Sequence, residues 1–164
     1  MELPFEKIQR QMLVKKQAET DLKYGKEPNK RTTEELLNNG VICINKPSGP
    51  TSHQVSAYIK DILKLNKAGH GGTLDPSVTG VLPISLGKAT RIMDALLTAG
   101  KEYICIMHLH KKIPVSKIYK SSEEFVGKIT QLPPIKSAVK RQLRERKIYY
   151  LKIIDIKEQD VLFK

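Results

Sequence analysis

The sequence predicts an α/β protein of the α+β kind, with a mixed, mainly antiparallel sheet flanked by helices. Short apolar runs of strand length alternate with stretches that carry apolar residues at helical spacing. The connections between them are too short for many parallel crossovers, and glycine or proline stands at most junctions. With 164 residues, 40% hydrophobic and 28% charged, the chain can build one core and lies far from compositions that stay disordered. No apolar run approaches the roughly 18 residues that cross a bilayer. The opening Met1-Glu2-Leu3-Pro4-Phe5-Glu6 also lacks the basic-then-apolar order of a secretory signal, so a cytoplasmic or nuclear protein with no membrane partner is expected.

Residues 1–35 read as a polar arm packed onto the domain, with one weakly amphipathic stretch from Phe5 to Val14. Thr32 with Glu35 has the form of a capping box, which predicts a short helix ending at Asn38-Asn39-Gly40 with Gly40 in the left-handed C-terminal conformation. Val41-Ile42-Cys43-Ile44 is a strand of buried type, broken by Pro47, Gly49 and Pro50. Thr51 with Gln54 repeats the capping box, and Val55, Tyr58, Ile59, Ile62 and Leu63 fall on one helical stripe that should dock on the sheet. Residues 66–80 hold four glycines and one proline and are expected to form an irregular loop before the strand Val81 to Leu86. A helix from Ala89 to Leu97, stopping at Gly100, precedes a strand from Tyr103 to Leu109. A helix of one or two turns over Ser121 to Gly127, a loop opening at Pro133-Pro134, and a strand pair Ile148 to Ile156 and Val161 to Phe163 complete the reading. Cys43 and Cys105 read as reduced, buried and structural, and no set of about four ligands at short spacing suggests a metal.

Charge gives the first lead to function. There are 29 Lys and Arg against 17 Asp and Glu, a net +12, and residues 111–152 alone hold 12 cations against three acids. Excess of this kind, concentrated in one quarter of the chain, suits neutralisation of phosphates. The other unusual feature is Gly69-His70-Gly71-Gly72-Thr73-Leu74-Asp75-Pro76. It is neither a Walker loop, which needs Gly-Lys-Ser/Thr entering a helix, nor a dinucleotide fingerprint. Asp75 is the single carboxylate between Asp61 and Asp94. From the residues alone it reads either as a turn-forming Asp-Pro or as a lone acid in a loop whose glycines admit a ligand close to the backbone.

Asn45-Lys46-Pro47-Ser48-Gly49-Pro50-Thr51-Ser52, followed by Gly69 through Asp75-Pro76-Ser77-Val78-Thr79-Gly80-Val81-Leu82-Pro83, resembles the two leading motifs of the TruB family of RNA pseudouridine synthases. Lys88-Ala89-Thr90-Arg91, Lys101-Glu102-Tyr103 and Pro133-Pro134-Ile135-Lys136-Ser137-Ala138-Val139-Lys140 continue the likeness, which covers about residues 36–164. The polar arm, the wording Gly71-Gly72-Thr73 beside Asp75, and Arg141 through Tyr150 are similar to the archaeal and eukaryotic branch, the dyskerin-like catalytic subunits of H/ACA ribonucleoproteins.

The resemblance implies a pseudouridine synthase fold and a cofactor-free conversion of uridine in RNA to pseudouridine, the base being detached from C1′, turned and rejoined through C5. Asp75 then matches the catalytic carboxylate, and the sequence leaves open whether it attacks as a nucleophile or removes a proton from C2′. Gly71 and Gly72 would clear space for an extruded nucleotide. Tyr103 matches the tyrosine that stacks on the target base, although an aromatic on a strand is usually a core residue. His70 and Thr73 would line the RNA-binding loop, Lys46 would shape the wall under Asp75, and Arg91 would contact phosphate or neutralise its helix end. Lys136, Lys140, Arg141, Arg144, Arg146 and Lys147 match a thumb-like loop, about residues 133–147, that closes over RNA and grips phosphates without reading bases.

Implied partners are substrate RNA, an H/ACA guide RNA, small Nop-type and Gar-type proteins and a kink-turn-binding protein, in archaeal cytoplasm or a eukaryotic nucleolus. The family's catalytic domain continues past the strand matching Val161-Leu162-Phe163, with an arginine that pairs with the aspartate, a further tyrosine and a PUA domain. The chain is therefore expected to be a partial catalytic domain, inactive alone. A non-catalytic RNA-binding subunit and a stand-alone tRNA T-loop synthase are the alternative readings.

Overall fold

The computed structural model describes residues 6–9, 11–19, 21–133, 135 and 141–164. The chain forms two compact units, one of Met12–Ala99 and one of Met1–Gln11 with Gly100–Lys164. All strand pairings among the described residues are antiparallel, and they make three small sheets where the sequence suggested one mixed sheet. Residues 6–9, 11–19, 21–27 and 29–34 of the arm are exposed at the surface, and the Lys26 ammonium reaches Glu35 at 2.8 Å.

In the unit Met12–Ala99, α1 (Thr33–Asn39) starts at a reciprocal capping box: the Thr32 hydroxyl accepts the Glu35 N–H at 3.3 Å and the Glu35 carboxylate accepts the Thr32 N–H at 2.8 Å. Gly40 corrects the sequence reading. It is extended, at φ −95° and ψ 166°, because the chain passes at once into β1 (Val41–Lys46) and the Gly40 carbonyl accepts the Leu86 N–H at 2.9 Å. The second capping box, Thr51 with Gln54, opens α2 (Ser52–Ile62) as expected.

Within the segment expected to be irregular, Ala68–His70 forms β2, which pairs with β3 (Gly80–Leu86) from Ala68↔Leu86 to His70↔Ile84. Its ladder stops where β3 presents Pro83, which has no N–H to donate; the Pro83 carbonyl still accepts the Gly71 N–H at 2.9 Å. On its other side β3 pairs with β1, from Val41↔Ser85 to Lys46↔Gly80. Leu82, Ile84 and Leu86 of β3 and Val55 of α2 make the buried core, joined by Ile42, Ile44, Ile59, Leu63 and Leu74. Each such side chain contributes about 1.5–3 kcal/mol by leaving water. A 3₁₀ segment over Gly87–Ile92 and a short α3 (Met93–Leu97) replace the single helix expected from Ala89.

The second unit holds β4 (Cys105–His108), α4 (Val115–Glu124), β5 (Gly127–Gln131), β6 (Arg144–Ile148), β7 (Ile153–Lys157) and β8 (Asp160–Phe163). One sheet runs β4-β8-β7 and the other is the hairpin β5-β6. The helix placed at Ser121 starts earlier, at Val115 after Pro114, and the strand expected from Ile148 to Ile156 is two strands split at residues 149–152. Ile118 and Val161 are buried beside an apolar cleft of about 400 Å³ lined by Met107, Phe125, Ile148 and Phe163.

Both cysteines contradict the expectation of burial: each is exposed, and neither is in a disulfide. Strand alternation turns Ile42 and Ile44 of β1 to the core and Cys43 outward, and all four residues of β4, Cys105 included, are exposed. No helix among the described residues is long and apolar enough to cross a membrane.

Candidate active site

Asp75 stands in the loop between β2 and β3, and the residues on both sides of it are pinned by the segment that joins β1 to α2. Ser52, at 1% exposure, accepts the Leu74 N–H at 2.9 Å and donates its hydroxyl to the Leu74 carbonyl at 3.1 Å. Lys46, the last residue of β1, is fully buried; its ammonium donates to the carbonyls of Pro47 (2.8 Å), Pro76 (3.1 Å) and Val78 (2.9 Å). An ammonium has three donors, so three carbonyls satisfy a buried charge that would otherwise be costly. The Gly49 N–H adds a second bond to the Pro76 carbonyl at 2.8 Å.

The two sequence readings of Asp75 meet in this geometry. Its backbone carbonyl closes a turn by accepting the Val78 N–H at 3.0 Å. Its carboxylate is exposed and takes no hydrogen bond or ion pair among the described residues. The loop is therefore held by backbone contacts while the acid is left for an outside partner, which is how a preorganised reactive group is carried. Ser52 was present in the sequence motif but carried no assigned role. A serine directly after an N-cap threonine is the signal that would have drawn attention to it.

The neighbouring residues divide by burial. His70 ends β2 half-buried, with a buried Nδ1 that has no hydrogen-bond partner among the described residues. Gly71 is buried, and a Cβ there would come within 3.1 Å of Met93 Sδ and 3.2 Å of Leu96 Cβ. The absence of a side chain at Gly71 thus serves packing against α3, whereas the sequence reading gave it to an extruded nucleotide. Gly72, at φ 150°, occupies backbone space that suits glycine, and Thr73 is exposed. Arg91 lies away from this group. It lines a cleft with Lys67, Gly87 and Lys88 at the Leu86 end of β3, whereas the Asp75 loop enters β3 at the Gly80 end.

The remaining candidates lie in the other unit. Tyr103 is 52% exposed, two residues before β4, and is not a core tyrosine. Its neighbour Glu102 pairs with the Lys164 ammonium at 2.8 Å and accepts the Tyr150 hydroxyl; Lys164 and Lys152 exchange two backbone bonds of 2.8 Å. Lys164 first, and Tyr150 second, hold the Glu102 carboxyl below the usual carboxylate range. The sequence offered no signal for this cluster, whose members are far apart along the chain. Arg144, Arg146 and Lys147 lie on β6, paired with β5 from Gly127↔Ile148 to Gln131↔Arg144, so the C-terminal end of the segment expected to be a thumb-like loop is instead a strand of a β-ribbon. Arg141 is exposed, and Lys136 and Lys140 lie outside the described residues.

The model of the "TruB family pseudouridylate synthase (N terminal domain)" matches residues 60–114, and that of the "DKCLD (NUC011) domain" matches residues 1–56. The "Probable tRNA pseudouridine synthase B" of Pyrococcus horikoshii is 56% identical over 158 residues, 96% of this chain and 47% of that protein. The one of Nanoarchaeum equitans is 54% identical over 162 residues, 99% of this chain and 46% of that protein. Among solved structures, a Cbf5-Nop10-Gar1 complex matches with TM-score 0.87 and 55% identity, over 96% of this chain and 48% of that one. An H/ACA RNP bound to a substrate RNA containing 2′-deoxyuridine matches with TM-score 0.84 and 51% identity, over 96% and 47%. The chain thus spans about half the length of the relatives it matches.

Proposed function

Because the chain belongs to the TruB family of pseudouridylate synthases, over about half the length of its relatives, we propose that it supplies the catalytic carboxylate for isomerising uridine to pseudouridine in RNA. In that reaction the C1′–N1 bond breaks and a C1′–C5 bond forms. The C5 proton leaves to solvent and N1 takes up a proton, so the change is neither oxidative nor reductive and consumes no co-substrate. Asp75 opens it in its ionised form, by attack on C1′ or by removing the C2′ proton. The observation that carries this reading is the exposed, unengaged Asp75 carboxylate on a loop fastened at Leu74, Pro76 and Val78. The target base must leave its stack to reach such a group. In the other unit, the exposed ring of Tyr103 offers a face on which a base can stack. The basic ribbon, with Lys136, Lys140 and Arg141 before it in the sequence, supplies phosphate contacts that hold RNA without choosing its sequence.

Choice of uridine falls to a guide RNA, with Nop-type and Gar-type proteins and a kink-turn-binding protein completing the particle. The neighbouring Cbf5-Nop10-Gar1 and H/ACA RNP structures support the RNA and the Nop- and Gar-type partners. A second reading, action on tRNA, is favoured by the relatives named tRNA pseudouridine synthase B. Reconstitution decides: the full chain with guide RNA and the Nop- and Gar-type proteins is given guide-matched RNA or a tRNA transcript, and pseudouridine is located by mass spectrometry. Product at the guide-matched position alone supports the guided reaction, product in tRNA without guide supports the second reading, and product in neither overturns both.

A further inference from the structure

At the end of β3 remote from Asp75, a cleft of about 470 Å³ is lined by Asn38, Asn66, Lys67, Lys88, Thr90 and Arg91, with Leu65 and Gly87. Lys88 and Arg91 are three apart on the 3₁₀ segment Gly87–Ile92. With three residues per turn, such side chains eclipse one another, so both cations rise from one face about 6 Å apart. Lys67 precedes β2, whose first residue pairs with Leu86, and the Gly87 N–H bonds the Lys67 carbonyl at 2.9 Å; this brings the third cation to the same place. All three are exposed, and none forms an ion pair or hydrogen bond through its side chain among the described residues. No acid lines the cleft, and the amides of Asn38 and Asn66 can add neutral donors.

Three uncompensated cations around a walled cleft repel each other and favour an anion. We infer that this cleft is a second RNA-binding site, taking backbone phosphates several nucleotides from the uridine at Asp75. The inference rests on the RNA-modifying role proposed above. Arg91 supplies a planar fork suited to two phosphate oxygens, and the two lysines act as point charges beside it. The strand between the cleft and the Asp75 loop spans about 20 Å, which corresponds to roughly six nucleotides of strand rise, so one RNA can occupy both. Because the cleft holds only backbone, it adds affinity and register without base preference.

The test compares the full chain, assembled with guide RNA and partner proteins, with its K67Q/K88Q/R91Q variant and a K15Q/K16Q/K23Q control that loses the same charge from the exposed arm. RNA affinity is measured across a salt series, together with kcat and KM for pseudouridine formation. The cleft variant is expected to bind RNA about tenfold more weakly near 0.1 M salt, with a salt slope shallower by about two and kcat unchanged. Equal losses in both variants, or no loss in the cleft variant, overturn the inference. Absence of pseudouridine formation by the unaltered assembly refutes the catalytic reading instead, and the binding series still judges the cleft.

Discussion

Ser52 holds Leu74 by both backbone polar groups, accepting its N–H at 2.9 Å and donating to its carbonyl at 3.1 Å. Leu74 immediately precedes Asp75, so a buried hydroxyl on α2 sets the direction in which the acid leaves the backbone. Ser52→Ala strands two backbone groups and is expected to cost about 1–3 kcal/mol of stability. Hydrogen exchange at the Leu74 amide should quicken, and kcat should fall more than KM rises, because the substrate-binding surface is untouched.

Lys46 does for Pro76 and Val78 what Ser52 does for Leu74. Lys46→Met keeps the stem in its buried site and removes three charge-assisted donors. Unfolding in urea should show a loss of about 3 kcal/mol, since hydrogen bonds to a charged group are worth about 1.5–3 kcal/mol and are partly replaced by water when lost. An unchanged midpoint would mean that water already serves these carbonyls.

Gly71→Ala tests packing against ligand approach. A methyl group there must push Met93 and Leu96 aside by a few tenths of an ångström, a strain of about 1–3 kcal/mol typical of an overfilled core. The account expects a lower melting temperature with RNA affinity within twofold. Weak RNA binding in a stably folded variant would return Gly71 to the ligand.

The capping box of α1 carries a pH signature. The Lys26 ammonium, then the Thr32 N–H, hold the Glu35 carboxyl at about 2 against its ordinary 4.5. A carboxyl whose pKa is lower folded than unfolded stabilises the fold above the unfolded value and loses that effect as pH falls through the folded one. Acid should therefore loosen α1 between about pH 4.5 and pH 2. A carbon-detected NMR titration of Glu35 checks this, and Lys26→Met should move the midpoint up toward 4.5.

What could be read from the sequence was local. Both capping boxes, the strands Val41–Lys46 and Gly80–Leu86, and the isolation of Asp75 each depend on residues within a few positions of one another. β2 escaped notice because Ala-Gly-His has little strand character and forms only where β3 offers an edge before Pro83. The ribbon β5-β6 was hidden for the same reason: its strand Arg144–Ile148 is mostly charged and is held by pairing with Gly127–Gln131. The clasp of Lys46 on a loop 30 residues away, and that of Glu102 on Tyr150 and Lys164, are tertiary facts with no periodicity to reveal them. Cys43 went wrong because a four-residue apolar run was read as buried on both faces, whereas β1 buries one.

The most direct measurement is release of tritium from RNA labelled at C5 of the target uridine, using the assembled full chain and its Asp75→Asn variant, with RNA affinity measured in parallel. The account predicts a fall in release rate of at least about 10²–10⁴-fold in the variant, with affinity unchanged within twofold. Release by Asp75→Asn at the parent rate would contradict it, and would leave the pinned loop as scaffold alone.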